Sequence, residues 1–375
     1  MSFESSFDRQ YEREQRRQNE QLTKRLEAAA ARNTPDLDEF KGSPKHPNVE
    51  RDKKYVEGTE KRFAEEAGYH AKGLELLIQY GIAQGRLLSD PTAESTYLTE
   101  PIWTTRYDDI KNRVDAAATV HAGPESNSAG EEAELTFGID LTTNPDQSVI
   151  RQKLLVGSND PNVDFPAGFT QIEYYKDANG EHDKKTFVPR YCIGISSDSV
   201  DDYLASVRTD RNGISQIPPG ASLIPSFKIL YEMSQQNALF ENPLYDKVDN
   251  EEASEEEQQA LHQMELLDNI YLKELDRLAK RLPQWANADC MTKAGTYDID
   301  KIAKKFMTGD ERDETFASII ETTQAIADEY AESDDGEGNP DTDYLKKAGD
   351  ALRRRPRNNQ AIGRRASNIG ARLNH

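Results

Sequence analysis

From Ala67 onward, small and apolar residues recur at three- and four-residue spacing, through Ala71, Leu74, Ile78, Gly81 or Ile82, Gly85 and Leu88. That period predicts a helix with one buried face. Gly68, Gly73, Gly81 and Gly85 lower its propensity but would let it approach a sheet closely. After Ser89-Asp90-Pro91 breaks the helix, the pattern changes. Val114 to His121 and Ala133 to Thr142 are short apolar, β-branched and aromatic runs separated by the loop-like GPESNSAGEE, and they read as paired strands. Asp146 to Val156 predicts a short helix with Asp146 as N-cap. Phe169 to Lys176 alternates and Phe187 to Ser196 is continuously apolar, which predicts two more strands, the second more buried. Ser197 or Asp198 caps a helix through Val207, and Ser222 to Phe240 and Leu261 to Leu282 form further helices. The last carries Leu261, Met264, Leu267, Tyr271, Leu275, Leu278 and Leu282 on one stripe, suited to the core or to a partner protein. The expected fold class is α/β, a mixed sheet of at least four strands flanked by helices, over residues 63–282.

Outside that domain the pattern thins. Residues 1–62 are dominated by Glu, Arg, Gln, Lys and Asn, with Tyr11, Leu22 and Leu26 too sparse for an apolar stripe. They predict a polar helical or disordered arm, with a Pro- and Gly-bearing linker at Asn33 to Asn48. Residues 283–332 predict a small helical satellite, Ile299 to Phe306 and Phe316 to Tyr330, and Asp249 to Glu257 an acidic solvated loop. Residues 333–375 read as a linker and a basic disordered tail. Of 375 residues only 35% are hydrophobic and 31% are charged, which fits one ordered domain with long polar extensions. The net charge of -21 opposes non-specific attraction to nucleic acid or an anionic membrane. The tail reverses that sign. Lys346, Lys347, Arg353, Arg354, Arg355, Arg357, Arg364, Arg365 and Arg372 face only Asp350 as an acid. Such a segment binds phosphates without reading sequence, or folds back onto the acidic body. No run approaches the roughly 20 apolar residues that cross a bilayer, nor is there an apolar signal core, so the cytoplasm is the expected compartment. Cys192 and Cys290 stand in no metal-binding spacing, and Cys192 reads as a buried thiol.

Each strand of the central pair carries a carboxylate, Asp115 and Asp140. A strand disfavours a carboxylate, and burying one is costly without compensation. Glu75 lies at the edge of the first helix's buried face, and Lys153 lies on the helix after the second strand. Carboxylates from three elements can hold a hard divalent cation such as Mg²⁺, which lowers the pKa of a bound water and neutralises charge on a phosphate. Lys153 would orient that water or stabilise the phosphorane. The alternative is structural. Asp108 and Asp109 then cap or turn the chain, while Asp115 and Asp140 pair with Arg106, Arg113, Arg151 or a backbone amide. The six histidines are scattered, no Ser-His-Asp or Cys-His arrangement is readable, and Gly-rich phosphate loops are absent.

The order of helix with Glu75, strand with Asp115, strand with Asp140-Leu141-Thr142, then helix resembles the PD-(D/E)XK nuclease-like core. The resemblance implies a restriction-endonuclease-like fold and Mg²⁺-dependent hydrolysis of nucleic acid phosphodiesters. Thr142 stands where that family places a lysine, so the lysine role passes to Lys153. The segments YDDIKNRVDA, FGIDLTT and VPRYCIGIS also resemble uncharacterised proteins of Saccharibacteria-like candidate-phylum bacteria, over roughly Phe63 to Leu282. That likeness implies no activity. Two functions stay open: a metal-dependent nuclease or degenerate relative anchored on nucleic acid by the basic tail, and a non-enzymatic scaffold recruiting a partner through Leu261 to Leu282.

Overall fold

The computed structural model describes residues 4–63, 69–88, 97–124, 133–155, 168–176, 182–209, 215–249, 251–282, 290–292, 297–309 and 312–332. Its centre is a mixed five-stranded sheet of β1 (Tyr97–Ile102), β2 (Ala116–Ala122), β3 (Ala133–Thr142), β4 (Phe169–Lys176) and β5 (His182–Gly194). They lie in the order β1-β2-β3-β5-β4. β1, β2 and β3 are antiparallel, with Ala116 opposite Ile139. β5 runs parallel to β3, Asp140 beside Cys192, and β4 closes the far edge antiparallel to β5. The helix α5 (Gln147–Leu155) follows β3, as a parallel pair requires a crossover.

Alternation along the strands gives the sheet two buried faces. Ala116, Ala118, Val120, Leu135, Phe137, Ile139, Tyr191 and Ile193 belong to the main core. That core is completed by α3 (Tyr69–Ala83), α6 (Ser197–Ser206), α7 (Leu223–Asp249) and α8 (Glu255–Arg281). Cys192 and Phe169 face a second cluster with Ile150 and Leu154 of α5 and with Ile319 and Ile326. The expected strands and helices are thus present, with two additions where the sequence predicts only a break. β1 hides behind its polar Thr99 and Glu100 and its Pro101, and an edge strand tolerates the proline. α4 (Arg106–Asn112) ends on Arg113 at φ 55°, which turns the chain into β2.

Several expectations are corrected by packing. The glycines of α3 do not serve the sheet. A Cβ at Gly73 would sit 3.2 Å from Leu204 of α6, and one at Gly81 2.3 Å from Leu87 in the segment that follows. Of the two forms expected for the arm, the helical one is present, and it is docked. α1 (Glu4–Ala30) buries Leu26 and Ala30 in the main core, and the Asn19 amide donates to Asp201 Oδ1 at 2.9 Å. The expected linker holds a 3₁₀ turn, Leu37–Phe40, and leads into α2 (Val49–Phe63). Leu37, Phe40, Val49 and Val56 form a small core with Tyr107 and Tyr174. The satellite is likewise part of the main body. α9 (Ile299–Met307) and α10 (Glu314–Glu332) place Ile302, Phe306 and Phe316 in the main core and Ile319 and Ile326 in the second. The α8 stripe is also core: Leu261, Met264, Leu267, Tyr271, Leu275, Leu278 and Leu282 are all buried within this chain, so that face is not open to a partner. The basic tail and the linker before it lie outside the described residues. No helix among the described residues is long and apolar enough to cross a membrane.

Candidate functional site

Asp140 sits on β3 with both carboxylate oxygens engaged. The Lys153 ammonium, from the last turn of α5, donates to Oδ1 and also to the Leu141 carbonyl at 3.0 Å. Arg190 of β5 donates Nη1–H to Oδ2 at 2.8 Å and Nη2–H to the Lys153 carbonyl at 2.7 Å. Its side chain is 1% exposed and that of Asp140 3%, whereas that of Lys153 is 23% exposed. Asp115 lies one residue before β2 and is bound into the same stretch of β3. Its amide donates to the Ile139 carbonyl at 2.9 Å, and its Oδ2 accepts the Leu141 amide at 2.7 Å. The Gln79 side chain of α3 donates to the Asp115 carbonyl at 2.9 Å, which holds the start of β2 against that helix.

Charge follows this geometry. Burial pushes the Asp140 carboxyl above its usual range, while Lys153 and Arg190 pull against that shift. Burial would lower the Lys153 ammonium, but Asp140 and Asp115 together outweigh it and hold the group above the ordinary lysine value. Glu75, one turn before Gln79, is raised by burial, with Lys72 opposing and Asp115 adding to the rise. The Lys72 ammonium donates to both Glu75 oxygens, at 2.7 and 2.8 Å.

Asp115, Asp140 and Lys153 are therefore brought together around Leu141, and Glu75 lies within electrostatic reach but is engaged by Lys72. Among the described residues no three acidic, histidine or cysteine side chains gather as a metal cage. The oxygens that do gather are two carboxylates and a peptide carbonyl. That donor set suits a hard cation such as Mg²⁺, which usually takes one or two protein carboxylates and completes its shell with water and substrate phosphate.

The arginine partner is not one the sequence suggested. Arg106 instead pairs with Glu60 at 3.1 Å and with Asp109. Arg190 is the residue sequence reasoning missed, because it is hidden inside the apolar run FVPRYCIGIS. A lone arginine in a buried strand is itself a signal, since it must find a buried acid.

Asp108 does more than cap or turn the chain. It is fully buried and accepts the Glu173 and Tyr174 amides at 2.6 and 3.1 Å, the Asn112 amide at 2.8 Å and the Thr105 hydroxyl at 3.1 Å. Those two backbone donors belong to the stretch where the β4 register shifts, so the side chain satisfies what the ladder leaves open. Burial pushes its pKa up to about 7, against the pull of these donors. Compared with known proteins, the chain matches no family model, no curated protein and no solved structure.

Proposed function

We propose that this chain is a divalent-metal-dependent nuclease-like protein acting on nucleic acid phosphodiesters, with Asp115 and Asp140 as the cation-binding carboxylates. The observation that carries the reading is the meeting of Asp115, Asp140, Lys153 and the Leu141 carbonyl at the end of β3. The element order supports it. The helix bearing Glu75, the strand β2 that follows Asp115, β3 with Asp140 and the helix bearing Lys153 come in the order that the PD-(D/E)XK resemblance implies, with β1 and α4 standing between the first helix and β2.

A bound divalent cation would supply an ionised water and neutralise charge on the phosphate. The chain's own residues do the rest. Arg190 fixes Asp140 and ties α5 to β5, so the carboxylate does not swing. Lys153 carries a proton-rich ammonium that can donate to a phosphate oxygen. Glu75, raised by burial, is placed to take up a proton near Asp115. The nine basic residues from Lys346 onward are the proposed sequence-independent anchor on nucleic acid, at odds with the acidic body and therefore strongly salt-dependent.

The test is cleavage of labelled single-stranded DNA, duplex DNA and RNA with Mg²⁺ or Mn²⁺. The wild type should cut at least one of them, and Asp115→Asn and Asp140→Asn should abolish cutting. No cleavage of any of them by folded wild type would set aside the catalytic reading. A second reading is favoured by one observation: Asp140 already has a cation on each oxygen. In that reading the network is structural, the protein is a non-enzymatic interaction module, and divalent cations leave its stability unchanged.

A further inference from the structure

Asp140 holds two cations that differ in kind. Arg190 is 1% exposed and its other nitrogen is tied to the Lys153 carbonyl, so nothing can displace it without opening the core. Lys153 is 23% exposed, ends on a flexible four-carbon stem, and can carry its charge out to water. Its ammonium nevertheless lies on Asp140 Oδ1 and the Leu141 carbonyl, with Asp115 acting on it electrostatically. Both of these hydrogen-bond acceptors are oxygens of the kind that ligates a hard cation.

We propose that the Lys153 ammonium is a tethered occupant of the cation position, and that a divalent cation enters only as Lys153 swings off Asp140. The proposal rests on the nuclease-like reading and adds a regulatory step to it. With Lys153 in place, two carboxylates face one ammonium and one guanidinium, and the site is balanced without metal. Exchange of the ammonium for a divalent ion frees a positive group still within one side chain's length of the site, where a phosphate oxygen can accept from it. Admission of the cation and presentation of the lysine to substrate become one event. The resting site has a measurable cost, because cation affinity falls by the fraction of molecules in which Lys153 is away from Asp140.

The experiment uses the full chain and Mn²⁺. Melting temperature is followed against Mn²⁺ concentration in wild type, Lys153→Gln, Lys153→Met and Asp140→Asn, and amine labelling of Lys153 is followed by mass spectrometry in wild type. Lys153→Gln keeps a hydrogen-bond donor toward Asp140 and guards against simple unfolding. The expected result is half-saturation at a Mn²⁺ concentration about tenfold or more lower in both lysine variants than in wild type. Asp140→Asn should show no response, and Lys153 labelling in wild type should rise as Mn²⁺ binds. If wild type and both lysine variants saturate together, or if Lys153 labelling stays flat at saturating Mn²⁺, the proposal is overturned while the metal site stands. Absence of a Mn²⁺ response in all four proteins removes the metal reading itself and this proposal with it.

Discussion

Asp108 and Asp109 are neighbours in the chain with opposite fates. Asp109 pairs with Arg106, whose side chain is 51% exposed, and an ion pair of that kind contributes little. Asp108 satisfies four donors inside the protein, and an amide in its place has only one acceptor oxygen for them. Asp108→Asn should cost on the order of 2 kcal/mol in urea unfolding, and Asp109→Asn less than about 0.5 kcal/mol. Equal losses would mean that Asp108 does not pin α4 to β4. The pH dependence has a definite sign. A carboxyl whose folded pKa is raised to about 7 favours folding most when protonated, so its contribution is full below the unfolded value and fades as pH rises through about 7. The gap between wild type and Asp108→Asn should therefore widen as pH falls from about 7 toward 4.

At the scale of elements, the N-terminal 3₁₀ turn and α2 are held by an aromatic nest in which His46 is 2% exposed. Its ring meets Phe40 edge-on at 5.1 Å and Tyr174 at 4.9 Å, and neither ring nitrogen has a hydrogen-bond partner among the described residues. Burial lowers its pKa, with His182, Lys184 and Lys45 adding to the effect and Asp183 opposing. The folded state prefers the neutral ring, so stability is present above the unfolded value and lost as pH falls below about 6.5. His46→Phe should remove that loss: its melting temperature should change less than that of wild type between about pH 7 and pH 5, which lie on either side of the free imidazole's value of about 6.5. A parallel fall in both proteins would count against the account.

This nest was not legible in TPDLDEFKGSPKHPN, where proline and glycine signal a linker and Phe40 and His46 are too isolated to give a period. By contrast β2 and β3 are legible as apolar, β-branched and aromatic runs, α5 from its N-cap, and α8 from a stripe that repeats over the whole element. Asp115, Asp140 and Lys153 lie on or beside those elements, so their elements were legible too. The partner of Arg190 was not, since it is set by the β3–β5 pairing, a long-range contact with no local trace.

For the whole molecule, the described N-terminal helix and the helices α9 and α10 are packed against the body. α1 lies against α3 and α6, with Leu26 and Ala30 in the core and Asn19 and the Tyr69 hydroxyl both donating to Asp201. At the start of α10, Lys228 of α7 and Asp313 form a buried pair at 2.8 Å, and Asp313 also accepts the Ser196 and Phe316 amides at 3.0 Å. Removing residues 1–48 should lower the melting temperature by roughly 5 °C or more, since each kcal/mol lost shifts it by about 2–4 °C in a domain of this size. A solvated arm would leave it unchanged.

Crystals soaked in Mn²⁺ and measured at the manganese edge report on the point between Asp115, Asp140 and the Leu141 carbonyl. A cation bound there gives an anomalous peak within about 2.0–2.3 Å of oxygens from both carboxylates, with Lys153 moved off Asp140 and Arg190 still in place. A peak-free site at saturating Mn²⁺, with Lys153 and Arg190 both still on Asp140, would contradict the proposed cation site and leave the carboxylates as structural members of the β3–α5–β5 network.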